Sequence, residues 1–193
     1  MAQLQSLINP VAPVVPVSAP ASTTTFASQL QSAGATTPLT SATPAPTSAG
    51  QAILNAVRPE VGVAEQPPGS NDSPRIAQYR QATAGSGVGP WCAYFASWAA
   101  RQAGVPLGDN GQGFGRVDDV YAWAQQTGKA IPNGPGVTPQ PGDLIVWDEH
   151  IGIVDHVDAD GTINTIEGNS SDSVSQRSYK PGERPAIGYV RLG

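Results

Sequence analysis

The sequence is poor in several features, and each shortage excludes a class of protein. It has one cysteine, Cys92, so no internal disulfide can form. It has no apolar run near the roughly 20 residues of a membrane-spanning helix. Lys and Arg number 10 against 15 Asp and Glu, for a net charge of -5. This acidic balance argues against a nucleic-acid partner and against a polybasic membrane anchor, because both need a basic surface.

Charge is also missing from the whole first part of the chain, where Arg58 is the first charged residue. Residues 1–49 are rich in Ala, Ser, Thr and Pro, and such a segment buries too little apolar surface to offset the entropy of ordering. We therefore predict a disordered tail over 1–49 and one folded domain over 50–193. The tail lacks the basic start of a secretory signal peptide, and Pro10, Pro13 and Pro16 interrupt its apolar stretch.

The hydrophobic pattern of the folded part changes from a helical period to a strand period along the chain. Helices are predicted from about residue 48 to the region of Pro59, over 73–80, over 91–103 and over 117–129. Strands are predicted at Asp143–Trp147, Ile151–Val157, Thr162–Glu167, Ser173–Tyr179 and Ile187–Leu192. Helices followed by hairpin-linked strands predict an α+β fold, with the N-terminal helices packed on an antiparallel sheet of about five strands.

Cys92 stands where a thiol can become a nucleophile. It follows a glycine-rich loop and Pro90 and lies in the first turn of a predicted helix. Unpaired backbone N–H groups and the positive end of the helix dipole favour a thiolate there and can bind an oxyanion. A buried cysteine is more often a small apolar residue. Its position nevertheless indicates a thiol hydrolase, provided that an imidazole lies beside it.

The chain has two histidines, His150 and His156. In an unbroken strand both would share a face, so position has to decide between them. His150 enters the strand after a turn and can reach over a helix end. His156 lies near the other end, roughly 20 Å away at the usual rise per residue. We predict that His150 pairs with Cys92 and that His156 is a surface residue.

Glu167 and Asn169 end the next strand. The turn at Asp158–Gly161 makes this strand antiparallel to the His150 strand, so its end returns beside His150. One of the two side chains could accept the Nδ1–H of His150, while the other binds substrate or supports an oxyanion. The alternative is that both are solvated turn residues.

Three segments, "WCAYFASW", "PGDLIVWDEHIGIV" and "IEGNS", resemble in this order the CHAP family. These cysteine, histidine-dependent amidohydrolases/peptidases act in bacterial and phage wall lysis and belong with the papain-like wall peptidases of the NlpC type. The likeness covers roughly Gln51 to Leu192. It implies a papain-like core and cleavage of amide bonds in peptidoglycan peptides. It also implies roles for four residues: Cys92 as nucleophile, His150 as general base and acid, Glu167 as the partner that orients His150, and Asn169 as an auxiliary polar group.

The chain departs from the family pattern in two places. Trp91 stands before the cysteine, where many papain-like enzymes have a polar oxyanion donor, so this donor must come from elsewhere. We expect Trp91 and Tyr94 to line the substrate groove and Asn71 to border it. Some phage members carry an Asp-rich calcium loop before the cysteine, whereas this chain has only Asp72 there. We therefore expect an enzyme without metal or other cofactor.

Two alternatives remain open at this point. A non-catalytic wall-binding or assembly component could keep the same fold, and a Cys92 that does not react with iodoacetamide would favour it. The tail segment "TTTFASQLQSAG" resembles N-terminal segments of flagellum-associated wall hydrolases of Gram-positive actinobacteria. This likeness implies an extracytoplasmic protein exported by the flagellar apparatus without a Sec-type signal, with flagellar rod components as partners. A phage endolysin released through membrane holes is the alternative source.

Overall fold

The structure is a computed structural model that describes residues 44–193. The predicted tail therefore lies outside the described residues except at its end, where Ser48 and Ala49 already belong to the first helix. Thr47 caps that helix, because its side-chain oxygen accepts the backbone N–H of Gly50 at 2.9 Å. None of the helices in residues 44–193 is long and apolar enough to cross a membrane.

Four α-helices occupy the first part of the described chain. The second helix begins as predicted, with Ser73 as its cap and Pro74 as its first residue. The third helix starts at Cys92 itself and ends before Gly104, which has a positive φ of 76°. The helices are α1 (Ser48–Val57), α2 (Pro74–Arg80), α3 (Cys92–Gln102) and α4 (Val117–Gln126), and a 3-10 turn, Arg58–Glu60, extends α1.

The second part forms one antiparallel sheet, which confirms the α+β class. The sheet has six strands rather than the predicted five. The unpredicted strand is β1, an edge strand of three residues ending in Pro132, too short to show a period of two. The strands are β1 (Ala130–Pro132), β2 (Leu144–Val146), β3 (Ile151–Val157), β4 (Ile163–Glu167), β5 (Ser175–Tyr179) and β6 (Gly188–Val190), in the spatial order β1-β6-β2-β3-β4-β5.

The sheet buries apolar residues on both faces. Along β2, Leu144 and Val146 join the larger cluster with the helices, whereas Ile145 belongs to a smaller cluster on the other face. Helix α3 packs against β3 and lies close to the end of β4. A Cβ at Gly168 would come within 2.6 Å of the Phe95 Cβ, so only glycine allows this approach. This close packing fixes the start of α3 against the sheet edge where β3 begins and β4 ends.

Candidate active site

Cys92 is the first residue of α3, and its side chain is almost buried, with 6% relative exposure. The residue before it, Trp91, makes no side-chain hydrogen bond that caps the helix. The N–H groups of the first turn have no acceptor within the helix, and the positive end of the helix dipole lies there. The sulfur is therefore located where negative charge is stabilised.

His150 lies directly before β3 and is hydrogen-bonded to Glu167, with 2.7 Å between Nε2 and Oε2. The structure thus brings together the two residues that the hairpin register placed side by side. The prediction that Nδ1 faces the acid is wrong, because the ring presents Nε2 to Glu167. Nδ1 is consequently the ring nitrogen available to Cys92, and the interaction with Cys92 contributes to the raised pKa of His150.

A missing side chain on β3 makes room for Glu167. The pairing of Ile153 with Ile166 places Gly152 opposite Glu167 in the next register position. A Cβ on Gly152 would approach the Glu167 Cγ to 2.8 Å, which is closer than side-chain carbons pack. Glycine at this position therefore allows the carboxylate to lie across β3 and to reach His150.

Glu167 is buried, at 1% relative exposure, and it accepts three hydrogen bonds from side chains. Besides His150, the Thr165 hydroxyl donates to Oε1 at 2.6 Å and the Tyr179 hydroxyl donates to the same oxygen at 2.9 Å. Burial alone would raise the pKa of Glu167. The hydrogen bonds and the charge of His150 outweigh burial, and the pKa lies below its ordinary value. Glu167 is thus a fixed negative charge.

The same contacts set the charge of His150. Burial of the ring lowers its pKa, but hydrogen bonds and charge interactions with Cys92 and Glu167 outweigh burial and raise the pKa to about 9. The ring is therefore protonated at neutral pH, and its positive charge lies between a carboxylate and a sulfur. A cysteine nucleophile needs such a counter-charge.

An aromatic ring covers the imidazole. The rings of Trp147 and His150 are stacked, with centroids 5.7 Å apart and planes at 27°. Trp147 is buried, at 4% relative exposure, and its Nε1 donates to the Arg184 carbonyl at 3.0 Å. The ring limits how far His150 can turn away from Glu167.

Asn169 lies behind the nucleophile and has no hydrogen bond to His150 within residues 44–193. Its φ is +57°. With its amide oriented to satisfy both neighbours, it accepts the backbone N–H of Trp91 at 3.1 Å and donates to Glu65 Oε1 at 3.2 Å. Asn169 thus joins the end of β4 to the residue immediately before Cys92.

Glu65 completes this group around Trp91 and Asn169, and no pattern in the sequence points to it. It is 3% exposed and accepts the Trp91 Nε1–H at 2.9 Å and the Asn71 backbone N–H at 2.8 Å. Glu65 lies just before a Pro-Pro-Gly loop, where no periodicity distinguishes a buried acid from a solvated one. The only available signal was an acidic residue before a proline-rich turn, and that signal does not predict a partner.

The three residues expected at the substrate groove differ in their surroundings. Trp91 is fully buried and Tyr94 is 6% exposed with its hydroxyl donating to the Gly87 carbonyl, so neither ring offers a broad surface to a substrate. Both rings belong to the larger apolar cluster, and their place at a substrate groove stays a prediction. Asn71 is half-buried, has a φ of +54°, and its side-chain amide has no hydrogen bond within residues 44–193.

His156 lies away from this site. A β-bulge between Val154 and His156 breaks the alternation of β3, so Val154 and Val157 both face the smaller cluster although they are three residues apart. The side chain of His156 is 50% exposed and contacts Asp155 at 2.8 Å. Within residues 44–193, no group of three or more His, Cys, Asp or Glu side chains is arranged to hold a metal ion.

Comparison with known proteins gives one finding. Residues 83–169 match the family model described as the CHAP domain. No curated protein and no solved structure matches the chain at a significant level. The matched segment runs from the loop before α3 to Asn169, so it contains Cys92, His150 and Glu167. CHAP domains are in general cysteine- and histidine-dependent amidohydrolases associated with peptidoglycan. Residues 83–169 thus match the CHAP family, which the three sequence motifs resemble.

Proposed function

We propose that this protein hydrolyses an amide bond in the peptides of peptidoglycan through a thioester on Cys92. The observation that carries the proposal is the contiguous set of Cys92, His150 and Glu167, in which a protonated imidazole lies between a thiol and a buried carboxylate. A histidine in a solvated turn would not need a buried carboxylate that two hydroxyl groups, of Thr165 and Tyr179, hold in place. The CHAP match supports the same class of reaction.

In the first half of the reaction, the Cys92 thiolate attacks the carbonyl carbon of the scissile amide. The resulting oxyanion lies at the start of α3, where backbone N–H groups can donate to it. The protonated His150 gives its proton to the amide nitrogen, the C–N bond breaks, and the amine leaves. A thioester on Cys92 and a neutral His150 remain.

In the second half, water attacks the thioester. His150 takes a proton from this water, the C–S bond breaks, and the product leaves with a new carboxyl group. The thiolate and the protonated imidazole are thereby restored. Glu167 stays ionised throughout, orients the ring through Nε2 and stabilises its positive charge.

Two further residues receive roles in this proposal. Asn169 positions the nucleophile, since its contacts run to the Trp91 backbone and to Glu65 rather than to the imidazole. Asn71 contacts the substrate, because its amide is half-buried and free of hydrogen bonds within residues 44–193. Because the indole N–H of Trp91 donates to Glu65, the hydrogen bond to the oxyanion comes from a backbone N–H group or from Asn71.

We also propose that the protein acts outside the cytoplasm, because its substrate is in the wall. The flagellar likeness lies in residues 24–35, outside the described residues, and export by the flagellar apparatus stays a prediction. Gene neighbourhood separates the two sources: hook and rod genes support the flagellar one, and a holin gene supports a phage endolysin.

Defined muropeptides test the function. Wild type should release fragments that mass spectrometry identifies, and the masses give the bond that is cleaved. Cys92→Ser and His150→Gln should release none, whereas His156→Gln, which removes the other histidine, should equal wild type. Equal release by wild type and Cys92→Ser would refute the thioester mechanism. A wild-type protein that binds the muropeptides without cleaving them would favour the non-catalytic wall-binding component.

A further inference from the structure

An exposed guanidinium group without a carboxylate partner lies over the ring that covers the catalytic imidazole. The Arg184 side chain lies over the Trp147 ring, with 4.3 Å from Cζ to the ring centroid, and Trp147 is the ring that stacks on His150. One nitrogen of the group, Nη1, donates to the Tyr179 hydroxyl at 3.2 Å. That hydroxyl in turn donates to Glu167. One side chain, Trp147, thus lies between Arg184 and His150, and one, Tyr179, lies between Arg184 and Glu167.

Most other arginines of the described chain are paired with acids. Ion pairs join Arg58 to Asp155, Arg75 to Glu60, Arg80 to Asp72 and Arg191 to Asp143. Arg184 has no carboxylate within 4.0 Å in residues 44–193, although the chain has more acids than bases. Its neighbour Glu183 instead accepts the backbone N–H of Lys180. The exposed guanidinium therefore keeps Nε and Nη2 for an external acceptor.

The position of Arg184 is fixed by contacts at both ends of the residue. Its carbonyl oxygen accepts the Trp147 Nε1–H, and its side chain rests on the Trp147 and Tyr179 rings. It also lines a pocket of about 290 Å³ on the smaller-cluster face of the sheet, together with Asn133, Tyr179, Lys180 and Tyr189. A cation held in this way loses less conformational entropy on binding than a free surface arginine.

We propose that Arg184 binds a carboxylate of the substrate peptide and thereby determines specificity. This inference rests on the proposed function. A guanidinium presents a planar fork that matches a carboxylate, and the remaining nitrogens, Nε and Nη2, can donate to it together. The enzyme accordingly prefers wall peptides that carry a free carboxylate over the same peptides with that group amidated.

A second role for Arg184 has to be distinguished from this one. Through Tyr179 it could merely hold Glu167, and its loss would then slow the reaction on every substrate. A carboxylate-binding role instead affects only substrates that carry the carboxylate. The amidated peptide is therefore an internal control for any structural effect of the substitution.

The experiment compares kcat/KM for a muropeptide with free side carboxylates and for its amidated counterpart. Arg184→Gln should lower kcat/KM about tenfold on the first peptide, the effect of one charge-assisted hydrogen bond. It should leave kcat/KM on the amidated peptide within about twofold of the wild-type value. Arg116→Gln removes one charge from a side chain that is 77% exposed, and it should change kcat/KM on neither peptide. Thr165→Val, which removes a donor to the same Glu167 oxygen and does not contact Arg184, should lower kcat/KM on both peptides equally.

Binding of the peptide to variants that cannot hydrolyse it tests the role of Arg184 independently of the proposed function. Titration calorimetry of Cys92→Ala with the carboxylate peptide should give about tenfold tighter binding than the Cys92→Ala, Arg184→Gln double variant. Equal binding by the two, or an equal loss of kcat/KM on both peptides in Arg184→Gln, overturns the role of Arg184 while hydrolysis stands. A wild type that cleaves neither peptide refutes the proposed function, and the calorimetry still decides the role of Arg184.

Discussion

Replacing Glu167 by glutamine tests how the protein keeps His150 charged. The substitution keeps the size of the side chain and removes its negative charge. It also presents an amide N–H₂ to a site where three donors converge, from His150, Thr165 and Tyr179. Removing one partner of a buried charge pair costs about 3–5 kcal/mol when the other charge stays, so the ring responds by releasing its proton more readily.

The size of the response follows from the geometry. An opposite charge within about 4–6 Å shifts a pKa by about 1–3 units, and the Glu167 oxygen is 2.7 Å from Nε2. The pKa of His150, about 9 in the native protein, should therefore fall by roughly 1–2 units. The alkaline limb of the kcat/KM profile, where the protonated ring is lost, should move to lower pH by the same amount.

Proton NMR gives the same pKa without turnover. The chain has two histidines, so His156→Gln assigns the remaining ring resonance to His150. Asp158→Asn is the matched control, since it removes one carboxylate 3.6 Å from His156 and should leave the His150 titration unchanged. An alkaline limb and a His150 titration that both stay in place in Glu167→Gln would refute the role assigned to Glu167.

Three other predictions follow from the same contacts. Gly152→Ala should reduce kcat at least tenfold and destabilise the fold by about 1–3 kcal/mol in urea, because its Cβ displaces the Glu167 side chain. Gly134→Ala, which has no atom near its Cβ and no positive φ, is the control. Glu65→Gln should lower kcat while leaving the pH profile in place, since it loosens Trp91 without touching the imidazole. The melting temperature should fall as the pH rises from 6.5 to 9. The pKa of His150 is about 9 in the folded protein and 6.5 in the unfolded chain. The stabilisation from protonated His150 is therefore complete below pH 6.5 and is lost as the pH rises through about 9.

Each of these has a contrary outcome. Full activity in Gly152→Ala would mean that Glu167 does not need its observed position. A shifted pH profile in Glu65→Gln would place Glu65 in the proton chemistry. A melting temperature that declines equally from pH 6.5 to 9 in wild type and His150→Gln would assign the decline to other groups.

The hairpin that joins β3 to β4 explains why the site could largely be predicted. Strand direction and turn position follow from local sequence, and together they place the end of β4 beside the start of β3. His150 and Glu167 therefore meet for reasons visible in the sequence. The glycine at position 152 that makes room for the carboxylate is visible too, but its meaning depends on a register that is known only in the folded chain.

Other features depend on contacts between distant segments and could not be predicted. Trp91 is buried and donates its indole N–H to Glu65, which lies 26 residues away. The bulge at Val154–His156 changes the side of the sheet that later residues face, and no residue type announces it. The ring nitrogen that faces Glu167 follows from the side-chain conformation of His150 rather than from its position in the chain.

The rate at which iodoacetamide alkylates Cys92 tests the central pairing most directly. Cys92 is the only cysteine, so the intact mass of the protein reports its modification alone. At pH 7 wild type and His156→Gln should react at the same rate, and His150→Gln should react about tenfold more slowly because the sulfur loses its cationic neighbour. Equal rates in all three proteins would contradict the pairing of Cys92 with His150.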